Sequence, residues 1–179
     1  IDGKFPRSES GRSLPLHNPA GEVLAHLCHA SRKDLRHAAS AARKALDPWR
    51  NATPYLRAQI LYRMAEMMEG KRAEFTAAIL DTTRPAPAAK SKKSTGANHS
   101  PEAEVHAAID RLVCFAGWAD KYAQVLGCNN AVAGPYYNFT VPEPTGVVAV
   151  IAPDSPPLLG LISLLAPVIC SGNTAIVAA

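Results

Sequence analysis

The sequence predicts an α/β fold built around a short parallel sheet. Near the carboxyl end, two aliphatic runs typical of buried strands, 147–152 and 174–179, flank an apolar segment at 157–171 that is typical of a helix. Continuous aliphatic strands joined through a helix favour parallel pairing. Two parallel strands alone leave both sheet edges exposed, so we expect this unit to be the front of a larger α/β domain.

The amino-terminal part predicts short strands followed by a capped helix. The segments "IDGKF" and "RSLPLHNPAGEVLAHLCHA" indicate strands around a turn at residues 18–21. Ser31, with Asp34 three residues later, has the pattern of a capping box. Apolar residues then recur at helical spacing until Pro48, where we expect the helix to stop.

Two further helices are predicted before residue 84. Thr53 is the expected cap of the second helix, Pro54 occupies its first position, and Gly70 ends it. A third helix is predicted over residues 72–80. The apolar stripe of the second helix is predicted to contain Leu56, Ile60, Leu61, Met64 and Met68.

The middle of the chain predicts a linker, a fourth helix and a separate strand. Residues 84–100 are rich in proline and small residues and lack an apolar period, so they predict a flexible insertion. Ser100, Pro101 and Glu102 open the next helix, whose stripe is predicted to run through Tyr122. That stripe contains Val105, Ile109, Leu112, Val113, Ala116 and Ala119. The segment "PYYNFTVPEP" predicts a strand outside the main sheet, because prolines bound it on both sides.

Composition indicates a globular protein in a reducing compartment. Hydrophobic residues make up 47% of the 179 residues and charged residues 19%, which argues against global disorder. The net charge of +4 is concentrated partly in "KSKK" at residues 90–93, and no stacking element accompanies it, so a solvated loop is a better interpretation than a nucleic-acid site. The apolar run at 158–170 is shorter than the roughly 20 residues that span a bilayer. Without a signal segment at the start of the sequence, we expect a cytoplasmic protein.

The four cysteines are far apart and contain no Cys-x-x-Cys pair, so they are expected to be reduced thiols. Cys170 and Cys114 lie in apolar helical context and are predicted to be packed core thiols rather than nucleophiles. Cys28 lies between His26 and His29. In a strand His26 and Cys28 would share one face while His29 points away, so no metal site is predicted.

The turn after the first core strand is polar. Asp154 and Ser155 lie between Pro153 and the pair Pro156 and Pro157, where α/β proteins bind ligands. Three interpretations are open at this stage, namely a catalytic site, a binding site and the remnant of one.

Several ordered blocks of the sequence closely resemble the amino-terminal part of aldehyde dehydrogenases. The blocks are "NPAGEVLAHL", "ALDPWRN", "RAQILYRMAEMMEGKRAEFTAAILD", "FAGWADKY", "EPTGVVAVIAP" and "LLAPVICSGNTAIV". The resemblance implies a partial Rossmann-like, NAD(P)-binding fold, which divides the chain into 1–134, with the insertion 84–100, an oligomerisation strand at 135–145, and 146–179. It also implies that the stretch from Tyr136 to Glu143 contacts a protein partner or a second copy of the chain.

The resemblance also implies a chemistry. Family enzymes oxidise an aldehyde to an acid through a cysteine thiolate, hydride transfer to the nicotinamide, and a water activated by a glutamate. Both of these residues belong to family segments beyond Ala179. The family turn of Pro, Trp, Asn, Phe and Pro aligns with residues 153–157, so Ser155 replaces the asparagine that donates to the oxyanion, and Asp154 replaces the tryptophan.

The cofactor positions implied by the resemblance are Ala152, Pro153, Asp154 and Ala178. Ala178 stands where the family has a lysine that binds the adenosine ribose, and alanine has no donor to offer. Losing an oxyanion donor typically costs about 100-fold to 1000-fold in rate. The turn then serves as a scaffold, in which Ser155 or Asp154 would cap the helix that Pro157 opens.

Three functions follow from these interpretations. The first is a non-catalytic aldehyde dehydrogenase-like module that acts in structure, oligomerisation or partner binding. This pattern is similar to the family sixteen branch, whose vertebrate members carry a second, incomplete dehydrogenase module. The second is the amino-terminal portion of an active NAD(P)-dependent aldehyde dehydrogenase. The third and weakest is nucleic-acid binding through the lysines at 90–93.

Overall fold

The computed structural model describes residues 1–83 and 100–178, and it confirms the predicted α/β class. An amino-terminal hairpin pairs β1 (Ser13–His17) antiparallel with β2 (Val23–Cys28). The five helices that follow are α1 (Arg32–Arg50), α2 (Pro54–Gly70), α3 (Arg72–Thr83), α4 (Pro101–Trp118) and α5 (Tyr122–Leu126). The described chain ends with β3 (Val147–Ile151), α6 (Pro157–Cys170) and β4 (Thr174–Ala178).

The predicted parallel pair is present. β3 and β4 run side by side in register from the pair Val147 and Thr174 to the pair Ile151 and Ala178, with α6 as the crossover. α1 lies against this pair, and the Thr174 hydroxyl donates a 3.0 Å hydrogen bond to the carbonyl of Ala42 on α1. The short sheet is therefore attached to the helical part of the chain.

The core is formed by three helices, α2, α4 and α6, with α3 packed on α4. Leu61, Val105 and Leu112 have no exposed surface. The other members of this cluster are smaller or lie nearer its edge: Ala58, Ala65, Met68, Ile79, Ala108, Ile109, Ala116, Ala119, Ile162, Ala166 and Cys170. Many of them are alanines, which lets the helix axes approach closely.

The helix caps predicted at Ser31, Thr53 and Ser100 are confirmed. The Ser31 hydroxyl accepts from the Asp34 amide, and the Asp34 carboxylate accepts from the Ser31 amide at 2.7 Å. Thr53 accepts from the Leu56 amide at the start of α2, and Ser100 accepts from the Ala103 amide at the start of α4. Local patterns therefore placed three helix starts correctly.

Two predictions for residues 1–50 are wrong. "IDGKF" forms a turn instead of a strand, because Asp2 and Gly3 adopt left-handed backbone angles and the Lys4 amide donates to the carbonyl of Ile1. α1 also continues past Pro48 to Arg50. A proline in the last turn removes only its own amide donor, and the Asn51 amide still bonds the carbonyl of Asp47.

The stripes predicted for α2 and α4 are partly wrong. Leu56 and Ile60 are exposed, and the buried face of α2 instead includes Arg57, Ala58 and Ala65 along with the predicted Leu61 and Met68. The face of α2 predicted from apolar residues alone is therefore rotated by about one residue from the face that is buried.

α4 ends earlier than the predicted stripe, at Trp118. The Lys121 ammonium donates to the carbonyl of Gly117 at 2.5 Å, so a cation caps the last turn of the helix. Tyr122 begins the separate helix α5. Val113, predicted to lie on the buried stripe, is exposed.

Residues 135–145, predicted to be an oligomerisation strand, form no continuous strand within the described chain, and pairing with a second chain stays a prediction. That stretch makes a single antiparallel bridge, between Phe139 and Asn129, supported by the hydrogen bond from the Thr140 amide to the carbonyl of Cys128. Extended backbone becomes a strand only where a partner supplies a continuous ladder. Here the partner segment contributes one bridge.

The insertion predicted at 84–100 lies outside the described residues except for Ser100, and so do the lysines at 90–93. In the described ranges, no helix combines the length and the apolar character needed to cross a lipid bilayer.

Candidate functional site at the ends of the parallel strands

The carboxyl ends of β3 and β4 lie side by side. The Ala152 amide, just after β3, donates a 2.8 Å hydrogen bond to the carbonyl of Ala178 at the end of β4. The structure therefore brings together two of the residues that the sequence assigned to a cofactor site. Their side chains are methyl groups, so this edge presents main chain and no side-chain donor at these two positions.

The polar turn after β3 projects into solvent. Asp154 and Ser155 are both exposed, and neither side chain caps α6. The cap position of α6 is Pro156, the residue after Ser155, so neither Asp154 nor Ser155 stands where a side chain could cap the helix. The predicted cap is therefore wrong. Pro157 does occupy the first helical position, as predicted.

The first turn of α6 is capped by a carboxylate from another helix. Glu104 Oε1, from the first turn of α4, accepts hydrogen bonds from the amides of Leu158 at 2.8 Å and Leu159 at 3.1 Å. The Glu104 residue is only 6% exposed. A buried carboxylate is stable at this position because the amino end of a helix carries partial positive charge and free amide donors.

The other end of α6 is held by a cation. Arg57 of α2, 5% exposed, donates from Nε to the carbonyl of Cys170 at 3.1 Å and from Nη1 to the carbonyl of Ala52 at 2.6 Å. The Trp49 indole donates to the carbonyl of Ile169 at 3.2 Å. Positive charge and donors at a helix carboxyl end satisfy carbonyls that have no partner within the helix.

The amino ends of β3 and β4 are joined by Asn173. Its Oδ1 accepts from the Gly146 amide at 2.7 Å, and its Nδ2 donates to the Ser171 hydroxyl at 2.8 Å. Asn173 is buried, and both ends of its side-chain amide are bonded. The strands are thus fixed at both ends, by Asn173 at one and by the bond from Ala152 to Ala178 at the other.

The turn rests directly on α6. Pro153 packs against Gly160 so closely that a Cβ added to Gly160 would overlap the proline ring. Glycine is therefore required at this point of α6 for steric reasons, and the position of the turn depends on the position of the helix.

The two cysteines predicted to be core thiols differ. Cys170 is buried, as predicted, and burial raises the pKa of its thiol, an effect that nearby Arg57 partly opposes. Cys114 is exposed, so that prediction is wrong. On α4 it lies two positions from the buried Leu112 and Ala116, which places it on the opposite face of the helix.

His26 and Cys28 lie on β2 and His29 follows it directly, and the sequence predicts no metal site for these three residues. Within residues 1–83 and 100–178, no three His, Cys, Asp or Glu side chains come together as metal ligands. Cys28 and His26 are exposed on the hairpin.

Two cavities of the described chain lie away from the strand ends. One of about 460 Å³ is mainly apolar and lies between the carboxyl end of α6 and the region of α4 and α5. Its lining includes Phe115, Trp118, Tyr122 and Pro167. The other, about 360 Å³, lies where residues 137–140 meet residues 123–129. Neither contains Ser155 or Ala178 in its lining.

The chemistry available at the strand ends is narrow. The Ser155 hydroxyl offers one donor and the Asp154 carboxylate offers only acceptors, while Ala152 and Ala178 offer main-chain atoms alone. A carboxylate beside a developing oxyanion would oppose its charge. Such a turn is suited to connecting β3 to α6 and is poorly suited to binding an anionic intermediate.

Sequence reasoning missed the two charged residues that hold α6. The sequence patterns single out neither Glu104 on α4 nor Arg57 on α2. The available signal was the pair of prolines at 156–157 without a side-chain cap, which indicates that the helix needs an acceptor from elsewhere. That signal does not identify the residue that supplies it.

Comparison with known proteins identifies relatives that match nearly the whole chain. The model of the aldehyde dehydrogenase family matches residues 5–179. The protein named putative aldehyde dehydrogenase DhaS from Bacillus subtilis (strain 168) is 34% identical over 178 residues, which cover 97% of this chain and 33% of that protein. The chain thus spans about one third of the length of such relatives.

Solved structures agree with the fold. A mutant of aldehyde dehydrogenase from Bacillus cereus superposes with a TM-score of 0.83 at 27% identity, covering 99% of this chain and 34% of that one. The crystal structure of PnpE in complex with nicotinamide adenine dinucleotide superposes with a TM-score of 0.84 at 24% identity, over 99% of this chain and 34% of that one. The second match supports the fold alone.

Proposed function

The chain belongs to the aldehyde dehydrogenase family, and from that premise we propose that this segment is a non-catalytic dehydrogenase-like module that acts in structure, oligomerisation or partner binding. A single observation carries the proposal. The adjoining ends of β3 and β4 present Ser155 and Ala178 at the positions where the family resemblance expects an asparagine and a lysine. The strands, the crossover helix and their supports are present, while the asparagine amide and the lysine ammonium that the resemblance expects at these two positions are absent.

A proposal about NAD(P) binding follows from the same carboxyl ends of β3 and β4. Family members bind NAD(P), and PnpE, one of the structural relatives, was crystallised with nicotinamide adenine dinucleotide. We propose that this segment contributes little to such binding, because Ala178 lacks the ammonium group that would bond a ribose hydroxyl. Ala152, Pro153 and Asp154 would then offer only main-chain atoms and one carboxylate, which repels the pyrophosphate.

The partner surface is proposed to be the stretch from Tyr136 to Glu143. Tyr136 and Tyr137 are each 75% exposed, and Phe139 and Val141 are exposed beside them. A run of exposed aromatic and aliphatic residues on a segment with little internal pairing is typical of a surface that docks on another chain. We propose that the partner is a second copy of the chain or another protein.

We also propose a reducing, cytoplasmic setting, in which the exposed Cys28, Cys114 and Cys128 stay free thiols.

The test restores the missing groups. In the full polypeptide that carries this segment, NAD and NADP are titrated against the natural protein, Ala178→Lys, and Ala178→Lys combined with Ser155→Asn. We expect no saturable binding for the natural protein and measurable binding for the lysine variant. The matched control is Ala131→Lys, which adds the same charge at an exposed position away from the strand ends. Micromolar binding by the natural protein would refute the proposal.

The alternative is that the intact polypeptide oxidises aldehydes and that this segment is its amino-terminal portion. The retained fold favours it, because the supports at both ends of α6 and both ends of the strand pair are intact. NAD-dependent aldehyde oxidation by the purified full polypeptide, lost on substitution of a downstream cysteine, would establish this function in place of the first.

A further inference from the structure

Every main-chain donor at the amino end of α6 is already used. Pro156 and Pro157 have no amide hydrogen, so Leu158 and Leu159 supply the first two amides of the helix. Both donate to Glu104 Oε1. The next amide, of Gly160, donates to the carbonyl of Pro156 and starts the helical pattern. No amide in this first turn is left to bind a ligand.

This arrangement matters because of where α6 lies. The amino end of a helix that follows a parallel strand is the usual phosphate position in α/β proteins, since amide donors and the helix dipole both favour an anion there. In this chain an anion is present, but it is a side chain of the same chain. Glu104 is only 6% exposed, so water has little access to the carboxylate that these amides bind.

We propose that Glu104 is an internal anion that closes the amino end of α6 to phosphate and, by holding that end, positions the turn that carries Ser155. The positioning follows from packing, because Pro153 of the turn rests on Gly160 of the same helix. A shift of the first turn of α6 therefore moves the turn with it. Asp154 and Ser155 do not take over this role, since neither caps the helix.

The proposal does not depend on whether the full polypeptide is catalytic. It concerns which class of ligand the crossover helix accepts, and it predicts that inorganic pyrophosphate, the charged part of a dinucleotide, does not bind there. Failure of the Ala178→Lys experiment would leave it untouched, because that experiment probes the end of β4.

The test measures hydrogen exchange at the amino end of α6 in the full polypeptide, with inorganic pyrophosphate and with formate as probes. Glu104→Ala removes the carboxylate, and we expect exchange at Leu158 and Leu159 to rise about tenfold or more. Either anion should then slow it again, because the vacated position accepts an external anion. In the natural protein neither probe should change exchange at these amides.

Two further variants separate occupancy from general effects. Glu104→Gln keeps the shape of the side chain and still fills the position. The amides of Leu158 and Leu159 should therefore exchange faster in this variant than in the natural protein, and neither probe should protect them. Glu102→Ala removes an exposed charge from the same first turn of α4 and should match the natural protein.

Three results would overturn the proposal: protection of Leu158 and Leu159 by pyrophosphate in the natural protein, faster exchange of equal size in Glu102→Ala, or unchanged exchange in Glu104→Ala. If Glu104→Ala fails to fold, Glu104→Gln decides the matter. Exchange equal to that of the natural protein would then show that the charge of Glu104 has no role at this helix end.

Discussion

Arg57 donates a 3.1 Å hydrogen bond from its Nε to the carbonyl oxygen of Cys170, the last residue of α6. The two residues are 113 positions apart in the sequence, and both are buried. The contact places a cation at the negative end of the helix whose positive end holds Glu104. The crossover helix is thus fixed by opposite charges from two different helices, α2 and α4.

Replacing Arg57 should destabilise the protein. Arg57→Ala leaves the carbonyls of Cys170 and Ala52 without their donor in a buried place, so we expect a loss of about 2 to 4 kcal/mol in the free energy of unfolding. Arg57→Lys should lose less, because one ammonium keeps the charge but cannot reach both carbonyls as the planar guanidinium does.

Chemical denaturation of the polypeptide that carries this segment measures both changes. The control is Arg63→Ala on the same helix, where the ion pair with Glu66 is exposed and its loss should cost less than about 0.5 kcal/mol. Equal effects of the Arg57 and Arg63 substitutions would contradict the role assigned to Arg57.

Asp34 should titrate well below an ordinary aspartate. The Ser8 hydroxyl, which donates to its carboxylate at 2.6 Å, and the amide and hydroxyl of Ser31 lower its pKa from 3.8 to about 2. A lowered pKa means that the ionised form stabilises the folded state above about pH 4, and that this stabilisation is lost as the pH falls from 3.8 to about 2.

Carbon-detected NMR titration of the Asp34 carboxylate gives the measurement. Ser8→Ala removes the largest cause and should move the midpoint up toward 3.8. Ser40→Ala changes an exposed serine on the same helix and should leave the midpoint where it is. A midpoint near 3.8 in the natural protein would show that the capping box does not hold the carboxylate as described.

The cysteines of α4 and α6 should differ in reactivity. Cys114 is exposed, whereas Cys170 is buried and its thiol pKa is raised above 9.0, mainly by desolvation. Iodoacetamide at about pH 8 should therefore alkylate Cys114 in the folded protein and spare Cys170, because only the exposed thiol is accessible and only thiolates react well.

Peptide mapping by mass spectrometry follows the two thiols separately. In denaturant, where burial is lost, both should react at similar rates. Alkylation of Cys170 as fast as that of Cys114 in the folded protein would contradict the burial described for α6.

Local patterns predicted much of the fold. The caps at Ser31, Thr53 and Ser100 are formed within three residues of sequence, so the sequence alone specifies them. The parallel unit was also predictable, since long aliphatic runs separated by a helix leave few other arrangements. The position of the polar turn followed from this, because the carboxyl ends of parallel strands meet at one edge.

Contacts between distant segments could not be predicted in the same way. Glu104 and Leu158 are 54 positions apart, and only the packing of α4 on α6 brings them together. Cys114 was wrongly predicted to be buried because its neighbours in the sequence are apolar. Apolar neighbours alone do not show which side of α4 a residue faces. The stretch at 135–145 has the composition of a strand, but a strand needs a continuous partner, and within the described chain this stretch forms one bridge, to Asn129.

The contact between Gly160 and Pro153 should be the most sensitive steric point of the turn. Gly160→Ala places a Cβ inside the volume of a rigid proline ring, so we expect a loss of about 1 to 3 kcal/mol in the free energy of unfolding. Pro153→Ala removes the ring, and the double variant should recover about 1 kcal/mol or more relative to additivity. Gly70→Ala, which meets no neighbour within 4 Å, is the control and should be neutral or stabilising. Urea denaturation measures all four, and an equal cost of Gly160→Ala with and without Pro153 would disprove the contact.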